Sequence, residues 1–506
     1  MARQRFDAVV VGTGLVGGWT ALRLTQAGMH VLVLEAGPAL AARPEPLPDH
    51  AQNRQPIQSR HGDWGRHPHW YVDDVSHPYR SESTPPFLWI RGRQPGGRSL
   101  MWGGTALRFS DCEFSDPERD GVGFAWPLTH ADLSSHYGVV ERTLGVCGSA
   151  AGLLQLPDGA FVGPSHQTDA ERRLIQMSSE RALGLRVLPA RGIPADAASA
   201  VPARSSMARL IPAALATGRL TMKTGAIVAR IVADDIPQGV RGVEYVDRDS
   251  GASDLALGAR VFLCASTIES VRILLNSRSP VFPDGLGNSA GLLGSNLTEH
   301  WAIRCSGRLP DGWPRTGHAE PPGGAAGVCI PRFVNLGDHW CDFHRGYGVI
   351  GYAGRRLGTD PSEPLTWAFT AIMEVAYQAG NRISLADGLV DDWGIGTVAI
   401  ALSRGENDRR MVAHAQTSLE KLASALDLPI EHWSRSQPGQ FVHELGGAHM
   451  GRSPATSVLD TENRCWDAPN VWVLDGACFP TAGWQNPTLT MLALAERALS
   501  RVVRSE

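Results

Sequence analysis

The sequence lacks the cysteine spacing, the charge clusters and the long apolar runs that are typical of several common protein classes. Its eight cysteines are scattered and no CxxC pair occurs, so neither a zinc ribbon nor a thioredoxin-type redox pair is predicted. Buried free thiols in a reducing cytosol are expected instead. The net charge is only -4 and no cluster of Lys and Arg suits a phosphate backbone, so nucleic acid is not an expected partner. No segment approaches the length of a membrane span, and we expect a soluble, cytoplasmic protein.

A zinc-protease helix is also excluded, although "QFVHELGGAHMG" (440–451) places a Glu directly after a His. That signature needs a second His four residues on, so that both imidazoles face one metal. Position 447 is Gly here, and the next histidine is His449, six residues after His443. Six residues turn a helix through about 600°, which separates the two rings. No metal site is predicted, and the role of His443 has to come from the rest of the chain.

The first thirty-five residues are typical of a nucleotide-binding βαβ unit. The apolar run Ala8–Val11 predicts a buried parallel strand. Gly12, Gly14 and Gly17 then form GxGxxG: the first makes a tight turn, the second lets a pyrophosphate approach, and the third lets helix and strand pack closely. A second strand ends at Glu35, which is placed to accept a hydrogen bond from a ribose hydroxyl. The motif leaves NAD and FAD both open.

A second glycine-rich loop, "FLWIRGRQPGGRSLMWGG", covers residues 87–104. Its glycines allow the backbone to approach something large and flat. Arg91, Arg93 and Arg98 are available to a diphosphate or to carboxylates. A solvated basic loop is the equally weighted alternative.

The predicted secondary structure changes near residue 300, in the middle of the chain. A hairpin over 227–246 and a strand over 261–264, followed by a helix from about Ile268, indicate a further crossover of the nucleotide sheet. Residues 300–403 carry short alternating runs instead, which predict a largely antiparallel sheet and hence a second domain. Two domains also suit a chain of 506 residues.

The C-terminal end predicts a strand over 471–474 and a final helix. Pro487 suits the first turn of this helix, with Asn486 as its N-cap. The helix N-terminus carries partial positive charge, which suits a reduced flavin because that ring is anionic around N1. The alternative is that Asn486 serves only as a cap.

Taken together, these segments resemble the glucose–methanol–choline (GMC) family of flavin-dependent oxidoreductases over nearly the whole chain. The residues that carry the resemblance are "VVVGTGLVGG" with Glu35, "GGRSLMWGG", "VFLCASTIESVRILL", "GLLGSNLTEH", "NRISLADGLVDDWG", "HELGGAHMG" and "VWVLDGACFPTAGWQNPTLTMLALAERA". The resemblance implies FAD as the cofactor. It also implies an α/β fold in which a Rossmann-like FAD-binding domain is interrupted by an α+β substrate domain on a largely antiparallel sheet. The expected boundaries are 1–165, 166–300 and 439–506 for three parts of the FAD-binding domain, and 301–438 for the substrate-binding domain.

The resemblance also implies roles for individual residues. His443 corresponds to the family's histidine beside the flavin ring, and Asn486 to the second catalytic position. Met101 stands where pyranose oxidases carry the histidine that bonds to flavin, so non-covalent FAD is expected. Gly447 replaces the family's usual Thr, and His449 stands where Arg is common, which makes it a runner-up base. The implied cofactor contacts are Gly12, Gly14, Gly17, Glu35, Arg93, Gly97, Ser99, Met101, Trp102, Gly103, Val228, Ala265, Asp475, Gly476, Pro487 and Thr488.

The expected activity is oxidation of a CH–OH group to C=O on a sugar, a glycoside or a sugar-like natural product. The resemblance implies that His443 takes the hydroxyl proton while hydride passes to flavin N5, with oxygen or an unknown acceptor reoxidising the flavin. Three alternatives stay open: a non-sugar alcohol as substrate, a nicotinamide-dependent dehydrogenase, and a flavin-binding scaffold without turnover. A partner cytochrome or small subunit also stays open. Residues 61–74 and the 300–380 region are expected to line the substrate pocket.

Overall fold

The structure is a computed structural model that describes residues 4–39, 70–72, 74, 77–181, 184–194, 201–233, 239–314, 326–337, 340–354 and 362–504. Its helices are α1 (Leu15–Gln26), α2 (Asp111–Asp120), α3 (His130–Leu144), α4 (Asp169–Glu180), α5 (Ser206–Leu215), α6 (Thr267–Asn276), α7 (Glu406–Ala425) and α8 (Thr488–Val502). Its strands are β1 (Arg5–Phe6), β2 (Ala8–Val11), β3 (Val31–Leu34), β4 (Arg80–Ser81), β5 (Leu188–Pro189), β6 (Leu220–Lys223), β7 (Ala226–Ala233), β8 (Val240–Asp247), β9 (Ser253–Gly258), β10 (Val261–Leu263), β11 (His300–Arg308), β12 (Val328–Ile330), β13 (Tyr347–Gly354), β14 (Thr366–Glu374), β15 (Arg382–Val390), β16 (Gly396–Ala401), β17 (His432–Arg435), β18 (Arg464–Cys465) and β19 (Ala468–Val473). The predicted α/β class is confirmed.

A mostly parallel sheet joins the N-terminal and C-terminal parts of the chain. Its strand order is β18-β19-β10-β2-β3-β6, and each neighbouring pair is parallel except β18 with β19. Every residue of β2 is buried, as expected for a parallel strand that is covered on both faces. Helix α1 packs on β2 and β3 and also contacts α5 and α8. The carboxyl ends of β2, β3, β10 and β19 therefore meet at one edge, which is where parallel sheets bind ligands.

A second, antiparallel sheet has the order β17-β11-β14-β13-β12-β5. Helix α7 covers it through an apolar stripe that includes Met411, Ala415 and Leu419, and these side chains share a buried cluster with residues of β13 and β14. The central strand β14 is buried at seven of its nine residues, so both faces of the sheet are largely covered there. The two smaller sheets have the orders β1-β9-β8-β7 and β15-β16-β4.

The local predictions for the nucleotide sheet are confirmed. The strand over 8–11, the helix that ends at Gln26 and the hairpin formed by β7 and β8 are all present. The strand over 261–264 is β10, and the helix after it begins at Thr267. Among the residues that the structure describes, no helix combines the length and the apolar composition needed to cross a membrane.

Two segments pack on a different sheet from the one that the predicted boundaries give them. Helix α4 and strand β5 fall within 166–300, yet Leu174 and Met177 pack in the core of the antiparallel sheet and β5 pairs with β12. The hairpin of β15 and β16 falls within 301–438, yet Ile383 and Val398 pack in the core of the parallel sheet. The reason is that an alternating pattern fixes which face of an element is buried, but not which sheet buries it.

Candidate active site

The glycine motif after β2 forms a tight turn into α1. Gly12 has φ +98°, a conformation that favours glycine, and a Cβ there would lie 2.6 Å from the carbonyl oxygen of Cys264. A Cβ on Gly17 would overlap the carbonyl oxygen of Gly12, so only glycine lets α1 pack this closely on β2. Gly14 is the N-cap of α1, and a Cβ on it would point into open space. The turn therefore leaves room for an anion at a helix N-terminus, where free N–H groups favour negative charge.

Glu35 follows β3 and joins the two glycine-rich segments. One of its carboxylate oxygens accepts hydrogen bonds from the backbone N–H and the hydroxyl of Thr13, the former at 3.1 Å. The other oxygen accepts from the N–H of Gly37 at 2.8 Å. The hydroxyl oxygen of Thr13 accepts in turn from the N–H of Gly96 at 2.9 Å, which ties the second glycine loop to the first turn. The predicted contact of Glu35 with a ribose hydroxyl stays a prediction.

A cavity of about 380 Å³ lies along this edge of the parallel sheet. Of the residues predicted to bind the cofactor or to act in catalysis, those on its wall are Gly12, Gly14, Glu35, Arg93, Gly97, Ser99, Met101, Trp102, Gly103, Val228, Ala265, His443, Asp475, Gly476, Asn486, Pro487 and Thr488. Gly17 lies behind the turn, against Gly12. The fold thus brings residues from both ends and from the middle of the chain to one cavity.

The three arginines of the second glycine-rich loop are held in ion pairs rather than left in solvent. Arg91 lies 2.7 Å from Asp74, Arg93 lies 3.2 Å from Glu269, and Arg98 lies 2.6 Å from Glu444. Their side chains are 12%, 13% and 29% exposed, respectively. The loop is therefore not a solvated basic surface.

Arg93 belongs to a buried charge cluster that fixes this loop to α6. Glu269 pairs with Arg93 and with Arg272, and Arg272 also lies 3.5 Å from Asp391 of the β15–β16 segment. Burial alone raises the pKa of Glu269, but the charges of Arg272 and Arg93 bring it down to about 2. Burial lowers the pKa of Arg93 to about 10, still well above neutral pH. The cluster therefore remains ionised at neutral pH and holds loop, helix and hairpin together.

Asp475 follows β19 and holds the start of α6. Its carboxylate accepts from the hydroxyl of Ser270 at 2.5 Å and from the N–H of Ala477 at 3.0 Å. Burial raises its pKa to about 6, although these hydrogen bonds act in the opposite direction. Asp475 therefore shapes the cavity wall through contacts within the protein.

Asn486 does not cap the last helix, contrary to the sequence prediction. Helix α8 begins at Thr488 with Pro487 as its N-cap, and no side chain forms a cap hydrogen bond. The Nδ2 atom of Asn486 lies instead 3.5 Å from the Nε2 atom of His443. Its Oδ1 atom is buried without a hydrogen-bond partner among the described residues. The side-chain amide of Asn486 therefore lies at the cavity and does not cap the helix.

His443 faces a second histidine that the sequence analysis does not single out. The two Nδ1 atoms of His443 and His300 lie 2.9 Å apart, and the Nε2 atom of His300 lies 3.4 Å from the carbonyl oxygen of Ala482. Burial lowers the pKa of His300 to about 4. Burial, His300 and Arg98 together hold the pKa of His443 well below its usual range. Both rings are therefore neutral at pH 7.

The hydrogen bonds of these neutral rings assign one tautomer to each. A carbonyl only accepts, so His300 donates from Nε2 to Ala482 and its Nδ1 atom is an acceptor. His443 must then donate from Nδ1, which leaves the lone pair of its Nε2 atom facing Asn486 and the cavity. A neutral imidazole with a free Nε2 lone pair can accept a proton from a bound hydroxyl group.

His449, the runner-up base, lies away from this cavity. It is fully buried, its Nε2 atom lies 3.0 Å from the carbonyl oxygen of Thr456, and its ring packs on Phe124 at 4.0 Å between centroids. It does not line the cavity that holds His443. Its contacts are those of a packed core residue.

The segments expected to line the substrate pocket contribute little to this cavity. Tyr71 and Val72 line it, whereas residues 61–69 and 73 lie outside the described part of the chain. From the 300–380 region, His300 touches His443 but does not line the cavity. Within the described residues, no group of three or more His, Cys, Asp and Glu side chains is arranged to hold a metal ion.

A comparison with protein families matches the C-terminal part of the chain. Residues 377–495 match the model of the C-terminal domain of GMC oxidoreductases. The matched segment includes His443, Asp475 and Asn486, and with them the part of the cavity wall that carries the two facing polar side chains.

Several curated proteins are similar over most of their length. 6'''-Hydroxyparomomycin C oxidase of Streptomyces lividus is 29% identical over 100% of this chain and 92% of its own. Paromamine 6'-oxidase of Streptomyces fradiae is 29% identical over 98% of this chain and 91% of its own. 2-Methyl-1,2-propanediol dehydrogenase of Mycolicibacterium austroafricanum is 26% identical over 97% and 94%.

Proposed function

Because the chain belongs to the GMC oxidoreductase family, we propose that it oxidises a hydroxyl-bearing carbon of a sugar or glycoside, with His443 as the base. The observation that carries this proposal is the meeting of two side chains on one cavity wall. The Nε2 atom of His443 and the Nδ2 atom of Asn486 lie 3.5 Å apart, in the cavity that begins at the GxGxxG turn. A substrate hydroxyl can contact both groups from this cavity.

The family depends on FAD in general, and the residues of this chain fit that cofactor. The turn at Gly12 and Gly14 offers free N–H groups and open space to a pyrophosphate. Asn486 also lines this cavity, and its buried Oδ1 atom has no hydrogen-bond partner among the described residues. FAD, when bound, supplies the hydride acceptor for the carbinol carbon. A nicotinamide-dependent enzyme leaves the C-terminal segment of the cavity wall without a role.

We propose that FAD is held without a covalent bond, since Met101 lines the cavity where a linking histidine stands in pyranose oxidases. Acid precipitation of the purified yellow protein is therefore expected to leave the flavin in the supernatant. Absorption spectra of supernatant and pellet, with chromatography against FAD, provide the measurement. A pellet that stays yellow after washing would contradict this assignment.

His443 is proposed to take the hydroxyl proton at Nε2. The bond from its Nδ1 atom to His300 keeps the Nε2 lone pair on the cavity side, and it holds the orientation of the ring. His300 thereby acts as a positioning residue, because it never reaches the cavity itself. General base catalysis by a placed imidazole accounts for about 10²–10⁴-fold in rate.

Asn486 is proposed to fix the direction of the substrate. Its amide N–H group can donate to the same hydroxyl oxygen whose proton moves to His443. Two contacts on one oxygen orient the adjacent C–H bond, and such placement is a large part of enzymatic rate enhancement. The group that accepts the hydroxyl proton and the group that donates a hydrogen bond to the same oxygen therefore lie 43 positions apart in the sequence.

The domain roles are part of the same proposal. We assign FAD binding to the parallel sheet and its helices, with the sequence boundaries 1–165, 166–300 and 439–506. We assign substrate binding to the antiparallel sheet within 301–438, whose strand β11 begins at His300, in contact with His443. The packing of α4 and of the β15–β16 hairpin refines these boundaries, as described above.

The substrate class is argued from the relatives. Two of those similar over nearly the whole chain are named as oxidases of aminoglycosides or their precursors, so a hydroxyl group on an amino sugar or glycoside is the first choice. A small non-sugar alcohol is the second choice, favoured by the propanediol dehydrogenase. Both classes present a CH–OH group, and they differ in size and in charge.

An anaerobic screen decides between these classes. The purified protein is mixed with paromamine, methyl β-D-glucopyranoside, D-fructose, D-gluconate or 1,2-propanediol, and flavin absorbance is followed. Bleaching by a sugar or glycoside at the highest kcat/KM supports the proposal, whereas bleaching by the diol alone moves the substrate to the second class. Bleaching by none of them, with NAD-dependent turnover instead, would reject the flavin mechanism. Admission of oxygen or of dichlorophenolindophenol then identifies the acceptor.

A further inference from the structure

The residue directly before His443 has a strained backbone. Val442 has φ +57°, in the left-handed region, where a β-branched residue is an outlier. Such a conformation is strained and persists only when the surrounding structure enforces it. Something must therefore hold the peptide that orients His443.

Besides the hydrogen bond from the N–H of Val442 to the carbonyl oxygen of Gly439 at 3.1 Å, Arg98 contacts the residues on both sides of His443. Its Nη1 atom donates to the carbonyl oxygen of Val442 at 3.0 Å and to the Oε2 atom of Glu444 at 2.6 Å. Its Nη2 atom donates to the hydroxyl of Ser266 at 2.6 Å. The guanidinium group therefore grips both neighbours of His443 and anchors them to Ser266, the N-cap of α6.

The ion pair in this clamp is buried on one side. The side chain of Glu444 is only 2% exposed, and its Oε1 atom has no hydrogen-bond partner in the described part of the chain. Arg98 is thus the cation that pairs with this buried carboxylate, and its removal would leave the carboxylate without an ion-pair partner there. The same guanidinium group contributes, after burial and His300, to the lowered pKa of His443.

We propose that Arg98 is a positioning residue that holds the left-handed backbone of Val442, and with it the imidazole of His443, in the orientation needed for proton transfer. This inference rests on the proposed role of His443. Its competitor is a direct role of Arg98 in binding the cofactor, since its side chain also lines the cavity. The two roles predict different effects of Val442→Gly. Glycine would restore part of the rate lost in an Arg98 variant if Arg98 holds the backbone, but not if Arg98 binds the cofactor.

The decisive experiment pairs Arg98→Met with Val442→Gly in the holoenzyme. Arg98→Met is expected to slow anaerobic flavin bleaching by about 10–100-fold, because small misplacements of a catalytic group have effects of this size. Glycine adopts positive φ without strain, so Arg98→Met with Val442→Gly is expected to recover about tenfold of that loss. FAD content and KM are expected to stay near those of the wild type. Arg209→Met is the matched control, since Arg209 also donates to two backbone carbonyls but lies outside the cavity.

Two further variants separate charge from position. Arg98→Lys keeps the charge but cannot grip three acceptors in a fixed plane, so the rate falls without a change in the pKa of His443. Arg98→Met with Glu444→Gln removes the ion pair without leaving a buried charge, in case Arg98→Met alone does not fold. The pKa of His443 is read without turnover from the pH dependence of its acylation by diethyl pyrocarbonate, measured by peptide mass spectrometry. The titratable group that faces His443 from another element is His300, and the adjacent Glu444 lies on the same segment; both are unchanged in Arg98→Lys.

The outcomes distinguish this inference from the proposed function. Loss of bound FAD in Arg98→Met, or no recovery with Val442→Gly, would overturn the positioning role and favour cofactor binding. In Arg98→Met the pKa of His443, read from the pH dependence of its acylation, is expected to rise, because a neighbouring positive charge is removed. If His443→Gln retains the wild-type bleaching rate, the proposed function itself fails, whatever the Arg98 variants do.

Discussion

Replacement of His443 by Gln is expected to slow alcohol-dependent flavin bleaching by about 10²–10⁴-fold, because the side chain proposed to take the hydroxyl proton is lost. FAD content is expected to remain unchanged, since Gln fills a similar volume and the glycine turn is untouched. Stopped-flow absorbance under anaerobic conditions measures the rate at saturating substrate. A variant that bleaches as fast as the wild type, with FAD bound, would remove His443 from the mechanism.

The pH dependence of the wild type carries the same information. His443 acts only when neutral, so activity is present above its pKa and is lost as the pH falls through it. Burial, His300 and Arg98 hold the pKa of His443 well below the usual range. We therefore expect kcat/KM to stay level as the pH falls through the ordinary histidine pKa near 6.5, and to decrease only well below it, in a pH–rate profile of the wild type.

His449→Gln is the matched control for this experiment. It removes a second imidazole six residues on, and Gln can still donate to the carbonyl oxygen of Thr456. The bleaching rate is expected to stay within about threefold of the wild type, with thermal stability lowered by the altered packing on Phe124. A large loss of rate in a folded, FAD-containing His449→Gln protein would instead return it to consideration as the base.

Gly17→Ala and Gly14→Ala form the second pair with large and opposite expected effects. A methyl group on Gly17 would overlap the carbonyl oxygen of Gly12, so we expect a destabilisation of about 1–3 kcal/mol or more. Gly14 has φ -58° and open space at its Cβ position, so alanine fits there without strain. That space is where the pyrophosphate is proposed to approach. Gly14→Ala is therefore expected to keep the stability of the apoprotein and to lose at least about tenfold in FAD affinity, or about 1.4 kcal/mol.

Thermal melting with and without added FAD measures both effects at once. A ligand that binds the folded state raises the melting temperature of the wild type. Gly14→Ala should melt with the wild-type apoprotein and gain less from FAD, whereas Gly17→Ala should melt lower in both conditions. Equal stabilisation of the wild type and Gly14→Ala by FAD would place the pyrophosphate elsewhere.

The sequence predicts those parts of the fold that depend on neighbouring residues. The continuous apolar run Ala8–Val11 can only be satisfied between two covered faces, and it is the buried strand β2. The glycine pattern after it predicts the turn, because the need for each glycine comes from close contacts within the βαβ unit. Docking partners are not local, which is why α4 and the β15–β16 hairpin pack on sheets that the boundaries did not give them.

In the candidate site, too, the features set by neighbouring residues are predictable and the contacts between distant residues are not. Asn486 and Pro487 are adjacent, and their sequence predicts a cap, yet the tertiary fold turns the amide of Asn486 toward His443. His300 contacts His443 across 143 residues, and no local rule joins them. The available local signal is an acid–histidine pair, Glu299 and His300, at the point where β11 begins. Arg98 could be placed near a carboxylate but not assigned to Glu444 in particular.

The order of strands in the parallel sheet also bears on how the protein is made. Strand β10 pairs with β2 on one side and with β19 on the other, and β19 lies more than 200 residues later in the chain. The cavity wall likewise extends from Val11 to Met491. During synthesis from the N-terminus, the GxGxxG turn emerges early, whereas the part of the cavity wall that α8 supplies emerges after all the other lining residues. The complete cavity therefore forms only after Met491 has been added, so binding that depends on the whole wall follows synthesis of α8.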